Sequence, residues 1–473
     1  MTIARRIGWN LLAGASGKVI FTVLGLATFA VVTRSLGPED FGLYRTIFTY
    51  ISLVGVLAHF GTPALALREI SRPEADQARV IGNAIALRLV LMLAVLLIGV
   101  VAVPVFGLDP RVQLGALVAV LGWTALEVGN VIIVVFQNRL KQHLASLAEV
   151  LGGVVTLALV LAIAYMGLGL YWMVAAFAAG RLFIAAMAWK LADRLVSLSL
   201  RFDRASWQYL LEHGWPLGLS VIVTVIIARG DIMAMALFHP AAAVGLYGVA
   251  SKMLEMIVTI PNLLAPLMMP QFVGAGRDMK RLGAYMNAGL RALLVIGVFT
   301  LFALINFSTD VVKLVAGSDY EQAGIILKIM SPAVVVLFVS ILVRFLLITL
   351  GKQRLMLMAD LIGLAVVLPA YGFLVPAWSY VGAAIAMTLA HLATLIAALY
   401  FSVRQLEVHL ELGFLTKLIP IGLFAQAVFF LLNRFDFQWM LNLTAGAVIY
   451  LLLAFMTGLV PRALLQRSSG SVS

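Results

Sequence analysis

The chain has 473 residues, of which 63% are hydrophobic and only 11% are charged, whereas an ordinary soluble domain carries about 25% charged residues. This composition excludes a typical soluble domain. The absence of cysteine excludes a disulfide framework and a thiolate metal site, and the formal charge of +12 must be explained by where the basic residues lie.

Apolar runs of about 20 residues, the length that a helix needs to cross a bilayer, recur between short polar segments. The first run follows Arg5 and Arg6 and continues to Val32, which is too long for a signal-peptide core, so we interpret it as an uncleaved span. The runs predict an all-α polytopic membrane protein with about 14 transmembrane helices. They lie near residues 9–33, 40–61, 80–106, 113–137, 144–166, 169–192, 214–238, 242–270, 283–306, 322–350, 355–376, 380–402, 414–433 and 438–460.

Lysine and arginine distinguish the two sides of the membrane. One set of connections, together with both termini, holds about twenty basic residues, and the other set holds only Arg34, Arg111, Lys313 and Arg434. Because cytoplasmic loops are enriched in Lys and Arg, we expect both termini in the cytoplasm. The net charge then reflects topology, and no nucleic-acid partner is predicted.

One cytoplasmic connection, residues 195–216, is longer than the others. Its mixed charges with Trp207, Tyr209 and Leu210 predict an amphipathic helix on the membrane surface, and a plain solvated linker is the alternative. The expected domains are an N-terminal six-helix bundle (1–194), this linker (195–213), a second six-helix bundle (214–405), and helices 13 and 14 with a cytoplasmic tail (406–473).

An internal repeat relates the two predicted bundles. Segments that begin at Leu36 and His239 align without a gap, which lays Gly42–Tyr44 on Gly245–Tyr247. Further pairs, at the same or a slightly different offset, are Pro63 with Pro266, Arg88 with Arg291, Lys141 with Lys352 and Gln142 with Gln353. The copies start an even six spans apart and share one orientation, which predicts two parallel-repeat six-helix bundles around a central cavity, followed by a C-terminal helix pair.

The segment Arg34–Tyr44 and the run from Asp231 through Gly245–Met253 resemble the polysaccharide-transport branch of the multidrug/oligosaccharidyl-lipid/polysaccharide (MOP) flippase superfamily, the Wzx-like O-antigen flippases. The resemblance covers essentially the whole chain. It implies a bacterial inner-membrane protein that moves undecaprenyl-diphosphate-linked oligosaccharide to the outer leaflet by alternating access. Polysaccharide polymerase or ligase machinery is then an expected partner, together with membrane lipids. The family often has about twelve spans, so helices 13 and 14 either form a lipid groove, as in related lipid II flippases, or add hydrophobic surface.

Ionisable side chains inside spans are costly and therefore indicate function. Six basic residues are candidates for a cationic cavity that binds a lipid diphosphate: Lys18, Arg45, Arg88, Arg229, Lys252 and Arg291. No acid at matching depth is evident near Arg88 and Arg291, and snorkelling to the surface is the alternative for them. Arg45 itself and three further residues, Glu149, Arg181 and Asp360, lie close enough to span ends for snorkelling.

Three acidic residues, Asp231, Glu255 and Glu127, are candidates for coupling transport to protons or Na⁺. Structural pairing is the alternative, because Lys252 and Glu255 are three residues apart on one helical face. The sequence has no Gly-rich phosphate loop and no metal-binding His motif, so no catalytic residue, metal or other cofactor is predicted. Two rival functions are a cation-coupled multidrug antiporter of the same superfamily and a membrane glycosyltransferase or polymerase.

Overall fold

Helices form all the regular structure in the part of the chain that the computed structural model describes, residues 3–275, 278–406, 411–432 and 438–459. The α-helices are α1 (Ile3–Gly55), α2 (Thr62–Ile70), α3 (Gln77–Ala102), α4 (Pro110–Asn138), α5 (Gln142–Tyr165), α6 (Leu170–Asp193), α7 (Arg204–Phe238), α8 (Ala241–Leu264), α9 (Met269–Ala275), α10 (Met279–Ala316), α11 (Glu321–Thr349), α12 (Gln353–Leu406), α13 (Leu415–Leu432) and α14 (Trp439–Met456). Arg434 and the predicted tail after residue 459 lie outside the described residues.

Two of these helices are long enough to cross a bilayer twice. The helix α1 has 53 residues and α12 has 54, and each is broken once, at Gly37 (φ 68°) and at Ser379 (φ 51°). Pro38 follows the first break. Twelve helices among the described residues are long and apolar enough to span a membrane, and dividing α1 and α12 at their breaks gives the predicted count of about fourteen.

Small residues let neighbouring helices approach closely, as is typical of membrane proteins. An alanine Cβ at Gly122 of α4 would lie 2.5 Å from Cα of Ala178 on α6. Gly218 of α7 packs against Phe60, where an added Cβ would lie 2.8 Å from Cα of Phe60. Side chains at these glycines would force α4 away from α6, and α7 away from the turn at Phe60.

The chain divides into two compact units. The first unit runs to Gly248 and includes Val315–Asp319, and the second contains Val249–Leu314 and the chain from Tyr320 onward. This division differs from the predicted bundles because α7 and the first turns of α8 belong to the first unit. The close contact of α7 with Phe60 accounts for the difference.

The predicted surface helix over residues 195–213 differs from the structure. Residues 195–203 are not helical, and α7 begins at Arg204 and continues without a break into the seventh span. The amphipathic residues of the linker are therefore the first turns of a spanning helix. A continuous helix keeps its backbone hydrogen bonds, whereas a turn at the membrane surface would break them.

Asp203 fixes the start of α7 to the start of α3. Its carboxylate accepts hydrogen bonds from the backbone N–H of Ala205 (3.1 Å) and from the hydroxyl of Ser206 (2.8 Å). Its own N–H donates to the side-chain oxygen of Asn83 (2.8 Å), and its carboxylate pairs with Arg79. The Arg79 guanidinium lowers the pKa of Asp203 to about 2. This connection is therefore anchored to the first unit.

The turns before α5 and α12 support the predicted repeat. Both helices begin at matched glutamines, Gln142 and Gln353. The residues two positions earlier, Leu140 (φ 52°) and Gly351 (φ 69°), are both left-handed. In each turn, the next residue donates its N–H to the carbonyl five residues before it, at 2.8 Å. Leucine rarely adopts this conformation, which favours glycine. The same left-handed turn at Leu140 and Gly351 therefore supports the repeat.

Candidate functional site

The two copies of the repeated triplet contact each other inside the first unit. An alanine Cβ at Gly42 would lie 2.6 Å from the carbonyl carbon of Ala241 and closer still to its oxygen. A Cβ at Gly245 would lie 2.9 Å from the carbonyl carbon of Pro38 and closer still to its oxygen. Pro38 and Ala241 occupy matching positions in the repeat. We name this arrangement of Pro38–Gly42 and Ala241–Gly245 the reciprocal contact, because each segment contributes the same pair of positions, as at a two-fold axis.

Arg45 and Gly248, which also match in the repeat, lie one turn beyond the reciprocal contact. A Cβ at Gly248 would lie 2.8 Å from Cγ of Arg45, so the arginine side chain occupies the space that the glycine leaves. Arg45 is 9% exposed. The burial of Arg45 is at odds with the expected snorkelling from a span end, because a snorkelling side chain extends into the headgroups.

Asp231 on α7 lies near this arginine. The carboxylate is 3% exposed and accepts a 2.8 Å hydrogen bond from the hydroxyl of Tyr247. Arg45 and Arg229 are close enough to interact with it electrostatically. The structure therefore brings together three of the predicted residues, Arg45, Arg229 and Asp231, beside the reciprocal contact. A buried carboxylate needs such partners because an isolated charge in an apolar interior is very costly.

Arg88 is fully buried and paired, contrary to the expectation that no acid lies at its depth. Its guanidinium forms an ion pair with Glu127 of α4 and donates hydrogen bonds to the carbonyls of Ala58 (2.9 Å) and His59 (2.6 Å). Arg88 lies 11 residues after the start of α3, and Glu127 lies 11 residues before the end of α4. These helices run in opposite directions, so equal counts from the start of α3 and the end of α4, which lie on the same side, place the two residues at one depth. The sequence already contained this signal.

Two further predicted cations are paired in the second unit. Lys252 contacts Glu255 at 2.9 Å, which is the structural pairing considered as an alternative. Arg291 contacts Glu411 at 2.7 Å and lies over the ring of Phe414 at 5.6 Å. Like Arg88, Arg291 has an acidic partner, but Glu411 lies outside the predicted spans. Its place in a connection gives no sequence signal that it pairs with a residue inside a span.

Asp360 is buried rather than close to a surface. Its side chain is 1% exposed and accepts a 2.8 Å hydrogen bond from Arg344, so the prediction that it snorkels is wrong. A cavity of about 20 Å³ beside Arg344, Asp360 and Thr394 has room for about one water molecule. Within the described residues, no group of three or more His, Asp or Glu side chains could hold a metal ion.

Lys18 and Arg181 lie on neighbouring helices of the first unit. Lys18 on α1 is exposed. Arg181 is the twelfth of the 24 residues of α6, about 16 Å from each end at helical rise, so the prediction that it snorkels from a span end is wrong. Its guanidinium lies over the rings of Phe177 (5.1 Å) and Phe21 (5.9 Å). The predicted span 169–192 already places Arg181 near its centre.

A family model described as "polysaccharide biosynthesis protein" matches residues 31–324. That range includes both segments of the reciprocal contact, together with Asp231 and Arg181. The chain belongs to this polysaccharide biosynthesis protein family. No curated protein matches it at a significant level.

Solved transporter structures share the fold of this family member. The lipid II flippase MurJ, in an inward closed conformation, has a TM-score of 0.79 over 96% of this chain and 100% of that chain, at 14% identity. An inward-facing multidrug resistance MATE family transporter of the MOP superfamily has a TM-score of 0.66 over 84% and 98%, at 16% identity. A MOP superfamily transporter from Pyrococcus furiosus has a TM-score of 0.60 over 85% and 95%, at 18% identity.

These similarities show a common fold, since the identities are low. Together with the family match, they confirm the predicted relation to the MOP flippase superfamily and are consistent with its polysaccharide branch. The protein is a multi-pass membrane protein with the fold of MOP-type flippases and transporters.

Proposed function

We propose that this protein is a flippase that carries an undecaprenyl-diphosphate-linked oligosaccharide from the cytoplasmic to the outer leaflet of the bacterial inner membrane. The observation that carries the proposal is the exposed Lys18 in the first span of a member of the polysaccharide biosynthesis family. Among the described residues Lys18 has no ion pair. A cation at membrane depth is costly unless an anion approaches it, and a lipid diphosphate supplies that charge.

The cargo would cross by alternating access and then reach polymerase or ligase machinery for surface polysaccharide such as O-antigen or exopolysaccharide. Both termini would lie in the cytoplasm, in agreement with the basic residues of the loops on that side. The reciprocal contact supports this mechanism because its glycines bring two helix backbones together with no side chain of their own between them.

Asp231 is the residue that we propose for coupling to an ion. Arg45 and Arg229 are close to its carboxylate, and uptake of a proton would neutralise the acid directly. Protonation would leave both arginines without this counter-charge and would weaken the packing beside the reciprocal contact. We assign Glu127 a structural role instead, because it compensates the fully buried Arg88.

The test is the fate of lipid-linked sugar in cells that lack this protein. Sidedness is measured as accessibility to a periplasmic glycan-processing enzyme. We expect intermediates trapped on the cytoplasmic leaflet, rescue by the wild-type protein, and reduced rescue by Lys18→Gln. Lys190→Gln is the matched control, because Lys190 is also exposed but lies in the last turn of α6. Normal glycan export combined with altered resistance to cationic drugs would overturn the flippase and favour the multidrug antiporter.

A further inference from the structure

Arg181 differs from three other arginines that lie inside spans of the described chain. Arg88, Arg291 and Arg344 each donate to a carboxylate. Among the described residues, Arg181 donates no hydrogen bond and has no acid within 4.0 Å. Its side chain is partly exposed. An arginine at mid-membrane with accessible and unused donors is a strong indication of a binding site.

Aromatic rings hold the Arg181 guanidinium in place without using its N–H groups. Phe177 lies one turn earlier on α6, and Phe21 reaches it from α1. Phe48 packs edge-on against Phe177, with 4.5 Å between ring centroids. Contacts between a guanidinium plane and aromatic faces are favourable. The fork of donors therefore has a fixed orientation before any ligand binds, which reduces the entropy that binding must overcome.

Lys18 supplies a second positive charge one helical turn from Phe21 on α1. It lies three residues before Phe21 on α1, so the two side chains are neighbours on one helical face, and Phe21 contacts Arg181. Glu149 of α5 interacts electrostatically with Arg181 from beyond hydrogen-bond distance. Two cations and one carboxylate leave an excess of positive charge. The cluster therefore suits an anionic ligand.

We propose that Arg181 and Lys18, on the platform of Phe21 and Phe177, bind a diphosphate group at mid-membrane. Arg181 would engage two phosphate oxygens with its fork, and Lys18 would act as a point charge. This inference rests on the proposed function and assigns the anionic part of the cargo to the first unit alone. All four residues belong to that unit.

Binding to the purified full-length protein in detergent tests this site. The probe is farnesyl diphosphate, with phosphatidylglycerol as a bilayer phosphate that lacks the diphosphate. We expect Arg181→Gln to weaken farnesyl diphosphate binding at least tenfold, as hydrogen bonds to charged groups contribute that much. Arg181→Lys keeps the charge but loses the fork, so its affinity should lie between the two. Arg194→Gln, an exposed arginine at the end of the same helix, should bind like the wild type.

Several outcomes would overturn the site. The first is that monodisperse Arg181→Gln binds farnesyl diphosphate with the affinity of the wild type. The second is that the substitution weakens binding of phosphatidylglycerol but not of farnesyl diphosphate. If Arg181→Gln does not yield monodisperse protein, the same binding measurement is made with Lys18→Gln. The Lys18 side chain is exposed, so its replacement should not disturb folding. Arg181-dependent diphosphate binding in a protein whose deletion leaves glycan export normal would retain the site and overturn the proposed function. Intermediates trapped on the cytoplasmic leaflet, together with diphosphate binding that Arg181→Gln leaves unchanged, would retain the proposed function and overturn the site.

Discussion

Replacing Gly42 with alanine adds one methyl group at the reciprocal contact. That carbon would lie 2.6 Å from the carbonyl carbon of Ala241, whereas ordinary van der Waals contact begins at 3.4 Å. The atom in its way belongs to the backbone of α8, which cannot rotate aside as a flexible side chain could. The two helices must therefore move apart at this point.

The size of the effect follows from the kind of clash. Overpacking of a well-packed site costs about 1–3 kcal/mol. This cost applies only while the reciprocal contact is closed, so it raises the population in which Pro38–Gly42 and Ala241–Gly245 are separated. A difference of this size corresponds to roughly a 5- to 150-fold shift in that equilibrium.

The absence of cysteine in the chain allows a single thiol to report the separation. Val244 is 1% exposed and directly precedes Gly245. In a Val244→Cys background, we would measure the rate of labelling by a membrane-impermeant maleimide in intact cells, with and without Gly42→Ala. Gly25→Ala is the matched control, because a Cβ at Gly25 would meet no atom within 4 Å.

The symmetry of the contact adds a second arm to this experiment. Gly245→Ala should raise the labelling rate as Gly42→Ala does, because its Cβ would lie 2.9 Å from the carbonyl carbon of Pro38. If both variants label at the rate of Gly25→Ala, the reasoning is refuted. If the reciprocal contact is closed as described, an added methyl group must push the two helix backbones apart.

Three further predictions concern stability in detergent, measured as thermal unfolding. Arg88→Met should cost about 3–5 kcal/mol by leaving Glu127 uncompensated, and adding Glu127→Leu should recover most of it; no recovery would contradict the pairing. Asp203→Asn removes a carboxylate whose pKa Arg79 lowers from 3.8 to about 2. A lowered folded-state pKa stabilises above the unfolded value, so the advantage of wild type should shrink as pH falls from 4 to 2, and a constant difference would argue against this ion pair. Leu140→Gly should stabilise by about 1–2 kcal/mol by relieving a left-handed leucine; destabilisation would show that leucine packing outweighs the strain.

The spans and the repeat could be predicted because both leave a one-dimensional signal. A bilayer requires about 20 apolar residues for each crossing, and the breaks at Gly37 and Ser379 fall in the short gaps between predicted spans. The start of α7 at Arg204 could not be predicted in this way. An amphipathic stretch is compatible with a separate surface helix and with the first turns of a spanning one, and only packing decides between them.

The contacts of the site were harder to predict than its depth. Counting residues along α3 and α4 would have placed Arg88 beside Glu127, and the centre of α6 already contained Arg181. The rotation of each helix about its axis could not be predicted, because spans that are apolar on every side carry no amphipathic signal. Arg45 therefore could not be assigned to the space above Gly248 from the sequence.

Arg45 and Gly248 also bear on the history of this protein. Two identical chains could not have packed in this way, because an arginine at both positions would place two stems and two positive charges in one space. An ancestral dimer would have needed a small residue in both subunits or a different contact here. Two copies within one polypeptide do not carry that restriction. Because the two halves can differ in sequence, a single arginine lies beside the two-fold axis. In a homodimer, symmetry would place either two arginines there or none.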